Sequence, residues 1–260
     1  MEMILAGKKA ELIIFLVTIA FLYIYIERAK RGKLPRIRSF PAIEALREAC
    51  ARAAEMGRDV FYSTGLGGLH DQYAPMTMAS LGILGEVARL CGEVGARLKY
   101  YAVRAYLVPI VQDLIKTGYT LAGRPEMYSP DQVVYVGEQQ RSYMAAVMGY
   151  ILRERPATVI ILGATFWETI NVLGAGAVAG ALQIGGTPRL YYLPVVACVC
   201  DYYLIGEELY AASAAVTKDP PQMGVIAGQD VVKFILLAIL VIGLILTSLG
   251  FPLIDKLMRW

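Results

Sequence analysis

Residues 157–187, ATVIILGATFWETINVLGAGAVAGALQIGGT, constrain the fold more than any other stretch of this 260-residue chain. A short apolar run, 158–162, breaks at Gly163. A charge-poor segment, 166–181, follows, and a second short run ends in Gly185, Gly186 and Thr187. As strand, helix and strand this is a βαβ unit with glycines where each strand gives way to its helix. By hydropathy alone, residues 169–188 carry no charge and pass for a membrane span. A span here has to hold Glu168 in or beside the bilayer, at about 2–3 kcal/mol. It also leaves the strand-like LQIGGTP without backbone partners in lipid. A helix packed closely on a sheet accounts for the Gly and Ala richness, so we read 157–187 as βαβ.

The same rhythm runs through residues 41–216. Short apolar runs at 59–63, 97–102, 132–136, 158–162, 182–184 and 202–205 alternate with helical segments at 41–56, 76–94, 106–116, 138–153, 166–181 and 209–216. Strands buried on both faces are continuously apolar, as VVYV and VIIL are. The expected fold class is α/β: a Rossmann-like, mainly parallel sheet with helices on both faces.

Two apolar runs bracket that domain. Residues 10–26 hold one charge, Glu11, and give about 25 Å of helix, which Tyr23 and Tyr25 extend into an interface. A basic flank, not a small-residue cleavage site, follows, so an uncleaved anchor is expected over a signal peptide. Residues 234–249 are uninterruptedly apolar and form the second expected span. Arg28, Lys30, Arg31, Lys33, Arg36 and Arg38 after the first span place that flank, and the domain beyond it, in the cytoplasm by the positive-inside rule. The expected order is therefore an outer segment 1–9, a span 10–27, a basic linker 28–40, a cytoplasmic domain 41–216, a return linker 217–231, a span 232–254 and an outer tail 255–260. Both termini are then outside. Hydrophobic residues at 57% with charged residues at 18% fit apolar ends around a mixed middle. The small net charge of +3 argues against a nucleic-acid partner.

In open parallel sheets ligands bind beyond the carboxyl ends of the strands. The expected strand ends carry Ser63, Thr64, Gly65, Gly67 and Gly68; Gly163 and Thr165; Gly185, Gly186 and Thr187; and Glu207. Glycines and hydroxyls before helix starts offer backbone N–H groups to a small anion, although βα turns need glycine and helices need Ser/Thr caps with no ligand at all. No GxGxxG or Walker lysine pattern follows a strand. His70 and Asp71 are candidates for acid–base chemistry and equally for polar surface. Glu207 and Glu208 point about 100° apart on a helix, so at most one faces a given ligand. Cys50, Cys91, Cys198 and Cys200 match neither redox nor zinc spacing and are expected to pack as small hydrophobes. No catalytic residue, metal ligand or cofactor is assigned.

The segments 41–69 (PAIEALREACARAAEMGRDVFYSTGLGGL), 182–190 (LQIGGTPRL), 201–220 (DYYLIGEELYAASAAVTKDP) and the GQD at 228–230 resemble a family of archaeal and bacterial membrane proteins defined only as a domain of unknown function. The resemblance spans essentially the whole chain, is most distinctive at GEELYAAS, and implies a membrane location without an activity.

Three functions follow as alternatives: a membrane-anchored oligomeric scaffold, a sensor binding a small anion or nucleotide at the strand ends, and an enzyme at the membrane face. The scaffold is favoured by the missing catalytic motif and by Tyr100, Tyr101, Tyr191, Tyr192, Tyr202 and Tyr203, which suit interfaces. Its expected partners are the bilayer and further copies or relatives of the chain. Gly243 and Gly250, on one helix face, are expected to admit a neighbouring span.

Overall fold

The computed structural model describes residues 9–35 and 37–249. It divides into two compact units: Met1–Ile37 with Lys218–Trp260, and Arg38–Thr217.

The first unit is built from α1 (Lys9–Lys30) and α9 (Pro220–Ser248), both long and apolar enough to cross a membrane. They pack on each other in antiparallel sense. A Cβ on Gly224 would fall 2.7 Å from the Ile26 Cα, and one on Gly228 would fall 3.2 Å from the Leu22 Cα. These glycines form a small-xxx-small pair that lets two backbones approach. Two differences from expectation follow. The expected return linker 217–231 is mostly helix, because Pro220 and Pro221 sit in the first turn, where proline's missing N–H is harmless. The two apolar helices also have a packing surface of their own, which a reading of each as a lone span did not foresee. Gly243 is buried in this unit, whereas Gly250 lies outside the described residues.

The second unit is a parallel sheet of six described strands: β1 (Val60–Gly65), β2 (Leu98–Ala102), β3 (Val133–Tyr135), β4 (Thr158–Ala164), β5 (Leu182–Thr187) and β6 (Tyr202–Ile205). Their spatial order is β3-β2-β1-β4-β5-β6, and every neighbouring pair is parallel. This is the doubly wound order, in which the chain reverses direction between β1 and β4. Right-handed crossovers then send helices to opposite faces on the two sides of that reversal. Accordingly α3 (Ala74–Val94) packs with α2 (Pro41–Met56), α4 (Leu107–Leu121) and α8 (Glu208–Thr217), while α6 (Glu168–Ala179) packs with α5 (Gln140–Glu154) and α7 (Leu193–Val199). Side chains alternate across the strands to feed both layers. Phe61, Val159 and Ile161 join Tyr143, Val147, Val172 and Leu173 in one core. Tyr62, next in chain to Phe61, instead reaches Ser80 on α3.

Strand boundaries shift toward the carboxyl edge. Gly163 lies inside β4, just before Ala164, which pairs with Gly65, and Gly185, Gly186 and Thr187 lie inside β5, where they pair with neighbouring strands. The helix expected to stop before Gly118 continues to Leu121, since that glycine packs against Ala88, where an added Cβ would fall 2.5 Å away. Cys50 and Cys91 meet in the core with sulfurs 3.5 Å apart, and Cys200 is also buried. Cys198 is exposed, so the expectation of packing fails for it.

Candidate functional site

β1 and β4 flank the reversal of strand order, the place where doubly wound sheets hold ligands. Here the two strand ends close on each other. Gly65 (φ +74°) pairs with Ala164 across a register shift, and the Leu66 N–H donates to the Ala164 carbonyl at 3.0 Å. A Cβ at Gly65 would stand 2.2 Å from that carbonyl oxygen, and one at Gly163 (φ +123°) 2.6 Å from the Thr64 carbonyl oxygen. Only glycine permits both the positive φ and the approach.

The loop after β1 folds back over the same edge. Asp71 accepts the Gly68 and Tyr73 N–H groups at 2.9 Å each, and the Leu69 N–H donates to the Tyr106 hydroxyl. Gly67 sits against Thr77, Ala164 and Tyr73, and Gly68 against Tyr106. Asp71 is thus a loop organiser held near Arg104, and exposed His70 lies beside the Tyr106 ring, 4.9 Å between centroids.

Strand-end hydroxyls are met from within. Ser63 Oγ lies 2.5 Å from the Tyr143 hydroxyl and accepts the Gly65 N–H; Thr64 Oγ1 lies 2.7 Å from the Tyr100 hydroxyl. Burial pushes the Tyr100 phenol up to about 12, and those of Tyr62 and Tyr143 higher still. These tyrosines are neutral hydrogen-bonding groups, not acids at work near neutrality. Gly185 and Gly186 also admit side chains: a Cβ at the first would fall 2.5 Å from Cys200 Sγ, and at the second 2.8 Å from Leu162 Cδ2. Of the residues expected to meet a ligand, all but Glu207 are buried. Glu208, beside it, accepts the Ile205 N–H at 2.9 Å and pairs with Arg38.

Around the start of α6 the geometry is more polar. Arg189 donates from Nη1 to the Thr165 carbonyl at 2.9 Å, and its guanidinium lies 4.0 Å from the Phe166 ring centroid, with Tyr192 and Tyr73 at 5.0 and 5.2 Å. Glu168 accepts the Phe166 N–H at 3.0 Å and a bond from Gln140. Burial raises its carboxyl above the usual range, against the opposing pull of those hydrogen bonds and of Arg189. The Thr165 and Thr169 hydroxyls are buried here without a hydrogen-bond partner. Sequence reasoning missed Arg189, Tyr143 and Thr169. Arg189 had a signal, being the one charge between Glu168 and Asp201. Tyr143 had none, because pairing with Ser63 depends on α5 crossing the strand end.

Among the described residues no cluster of His, Cys, Asp and Glu has the makings of a metal site. The family model of DUF6754, described as a domain of unknown function, matches residues 1–258, and the chain belongs to that family. No curated protein matches the chain, and no solved structure does.

Proposed function

We propose that this member of the family is a membrane-anchored scaffold, its α/β units standing in the cytoplasm and assembling with one another. The carrying observation is the outer face of α6. Trp167, Ile170, Asn171, Ala177 and Val178 recur there at helical spacing, exposed and without a charge, with Val178 at 74%. On α2, by contrast, the exposed face carries Glu44, Arg47, Glu48, Arg52 and Glu55. Leu190 and Tyr191, exposed at 75% and 89%, adjoin Tyr192, whose ring neighbours Phe166 at 6.4 Å. An uncharged aromatic and aliphatic face of this kind marks a protein contact. Two anchors raise the local concentration, so weak lateral contacts suffice. A heterologous contact that repeats gives a ring when its rotation closes, which leaves no unsatisfied interface. The basic residues after α1 support a cytoplasmic domain with both termini outside.

Native mass spectrometry of the full chain released from lipid nanodiscs tests this reading. A multi-subunit particle that falls apart in Ile170→Glu and Val178→Glu is expected. A wild-type chain that stays monomeric over a range of protein-to-lipid ratios overturns the scaffold.

One observation favours a second reading, a sensor for a small anion at the strand ends. The two unpartnered hydroxyls, Thr165 and Thr169, sit where α6 begins, at the positive end of the helix dipole. The same spectra test it, through a retained mass that Thr165→Val and Thr169→Val abolish.

A further inference from the structure

α1 ends in a turn that curls the chain back on itself. The Gly32 N–H donates to the Ala29 carbonyl and the Lys33 N–H to the Arg28 carbonyl, with Gly32 at φ +84°. This is the left-handed glycine stop of a helix. It brings Lys33, Leu34 and Pro35 alongside Tyr25 and Arg28, opposite Gly224 and Ala227 of α9, around a cavity of about 240 Å³. The close approach at Gly224 holds the two helices together at that level. Two of the lining residues are cations and none is an acid. Arg28 lies over the Tyr25 ring, 5.9 Å to the centroid. Among the described residues neither Arg28 nor Lys33 forms an ion pair, although nearby Lys30 pairs with Glu27.

We propose that this cavity binds the phosphate of an anionic phospholipid headgroup. The apolar run of α1 ends at Ile26, and Arg28 follows about 3 Å further along the axis. That is the depth of the headgroup layer, which adds about 5–8 Å to each side of the hydrocarbon. Arginine and lysine supply the donors a phosphate needs, Arg28 from a plane already oriented against a ring. The volume is below the roughly 300–1,000 Å³ of a pocket that swallows a whole ligand. It suits a headgroup whose acyl chains remain in the bilayer. The proposal rests on α1 and α9 being membrane spans, and it is independent of how the α/β units assemble.

The test uses the full chain in phosphatidylcholine nanodiscs titrated with fluorescent phosphatidylglycerol. Arg28→Gln with Lys33→Gln should weaken binding by more than about a hundredfold, each loss removing a charge-assisted hydrogen bond to the phosphate worth about tenfold or more. Lys30→Gln with Arg31→Gln, equal in charge but outside the cavity, should weaken it by no more than about thirtyfold, the surface attraction of two basic residues at about fivefold each. Arg28→Lys, which keeps the charge and loses the stacked plane, should fall between. Equal losses in the two double variants would reduce the effect to a diffuse basic belt and overturn the proposal. Displacement of the lipid by soluble glycerol phosphate would identify a soluble phosphate as the ligand and overturn it too. Wild-type chain that inserts, resists alkaline extraction and shows no preference for the anionic lipid overturns this proposal alone. Chain that never enters the discs overturns the membrane reading beneath it.

Discussion

The hydroxyl of Ser63, at the end of β1, and that of Tyr143, on α5, lie 2.5 Å apart with both residues buried. One bond therefore ties the central strand to the helix that crosses its carboxyl end. Without Ser63 the buried Tyr143 hydroxyl is short of a partner, and without Tyr143 the Ser63 hydroxyl keeps only the Gly65 N–H.

That relationship predicts a non-additive pair of variants. Ser63→Ala and Tyr143→Phe should each destabilise the α/β unit by about 1–3 kcal/mol, since the first leaves the Tyr143 hydroxyl and the Gly65 N–H without Ser63 and the second leaves the Ser63 hydroxyl with only the Gly65 N–H. The double variant should be no worse than the worse single one, because both polar groups are then gone. Urea unfolding of the full chain in detergent, followed by tyrosine fluorescence, measures all three. Strictly additive losses would show that the two hydroxyls are not coupled.

Arg189 predicts a test of shape against charge. Arg189→Ala should lower stability by about 2 kcal/mol, removing both a bond to the Thr165 carbonyl and the contact with Phe166. Arg189→Lys keeps the charge but not the stacking plane, and should recover less than half of the loss. Full recovery by lysine, read in the same unfolding assay, would show that charge alone matters.

Glu168 predicts a pH dependence. Its carboxyl binds a proton more tightly in the folded unit than in the unfolded chain. Its contribution is therefore complete below the ordinary glutamate value and fades as pH rises through the raised one. As pH rises above the ordinary glutamate value of about 4.3, the wild-type Tm should fall relative to that of Glu168→Gln, which has no such titration. Parallel Tm curves for the two proteins across that range would contradict the raised value. In Arg189→Ala the fall should move to higher pH, because the cation that opposes protonation is gone.

Gly224 predicts a steric limit in the paired helices. Gly224→Ile places side-chain atoms against the Ile26 backbone and should destabilise the pairing of α1 and α9 by about 1–3 kcal/mol. The midpoint of SDS-induced unfolding should shift accordingly, while Leu240→Ile, at a position 63% exposed, should leave it unmoved. Equal midpoints for Gly224→Ile and wild type would remove Gly224 from the contact.

Local pattern alone determined the class of fold. Apolar runs with no polar alternation require a parallel sheet covered on both faces, and β6 lies where its run predicts, at Tyr202–Ile205. Likewise α2 begins at Pro41 and ends before Gly57, as its proline and glycine predict. These outcomes depend on neighbours in the chain, which a sequence displays. The role of each remaining glycine depends on what lies across from it. Gly163, Gly185 and Gly186 read as loop residues at a ligand edge, yet they are strand positions that admit a facing carbonyl, Cys200 and Leu162. Gly118 reads as a helix stop and is a contact with Ala88, and Gly224 and Gly228 read as linker and are where two helices touch. A missing side chain permits a turn, an anion or a close approach equally well. Only the tertiary structure decides among them, because the deciding atoms come from residues distant in sequence. The same holds for the strand-end hydroxyls, whose partners Tyr143 and Tyr100 are 80 and 36 positions away.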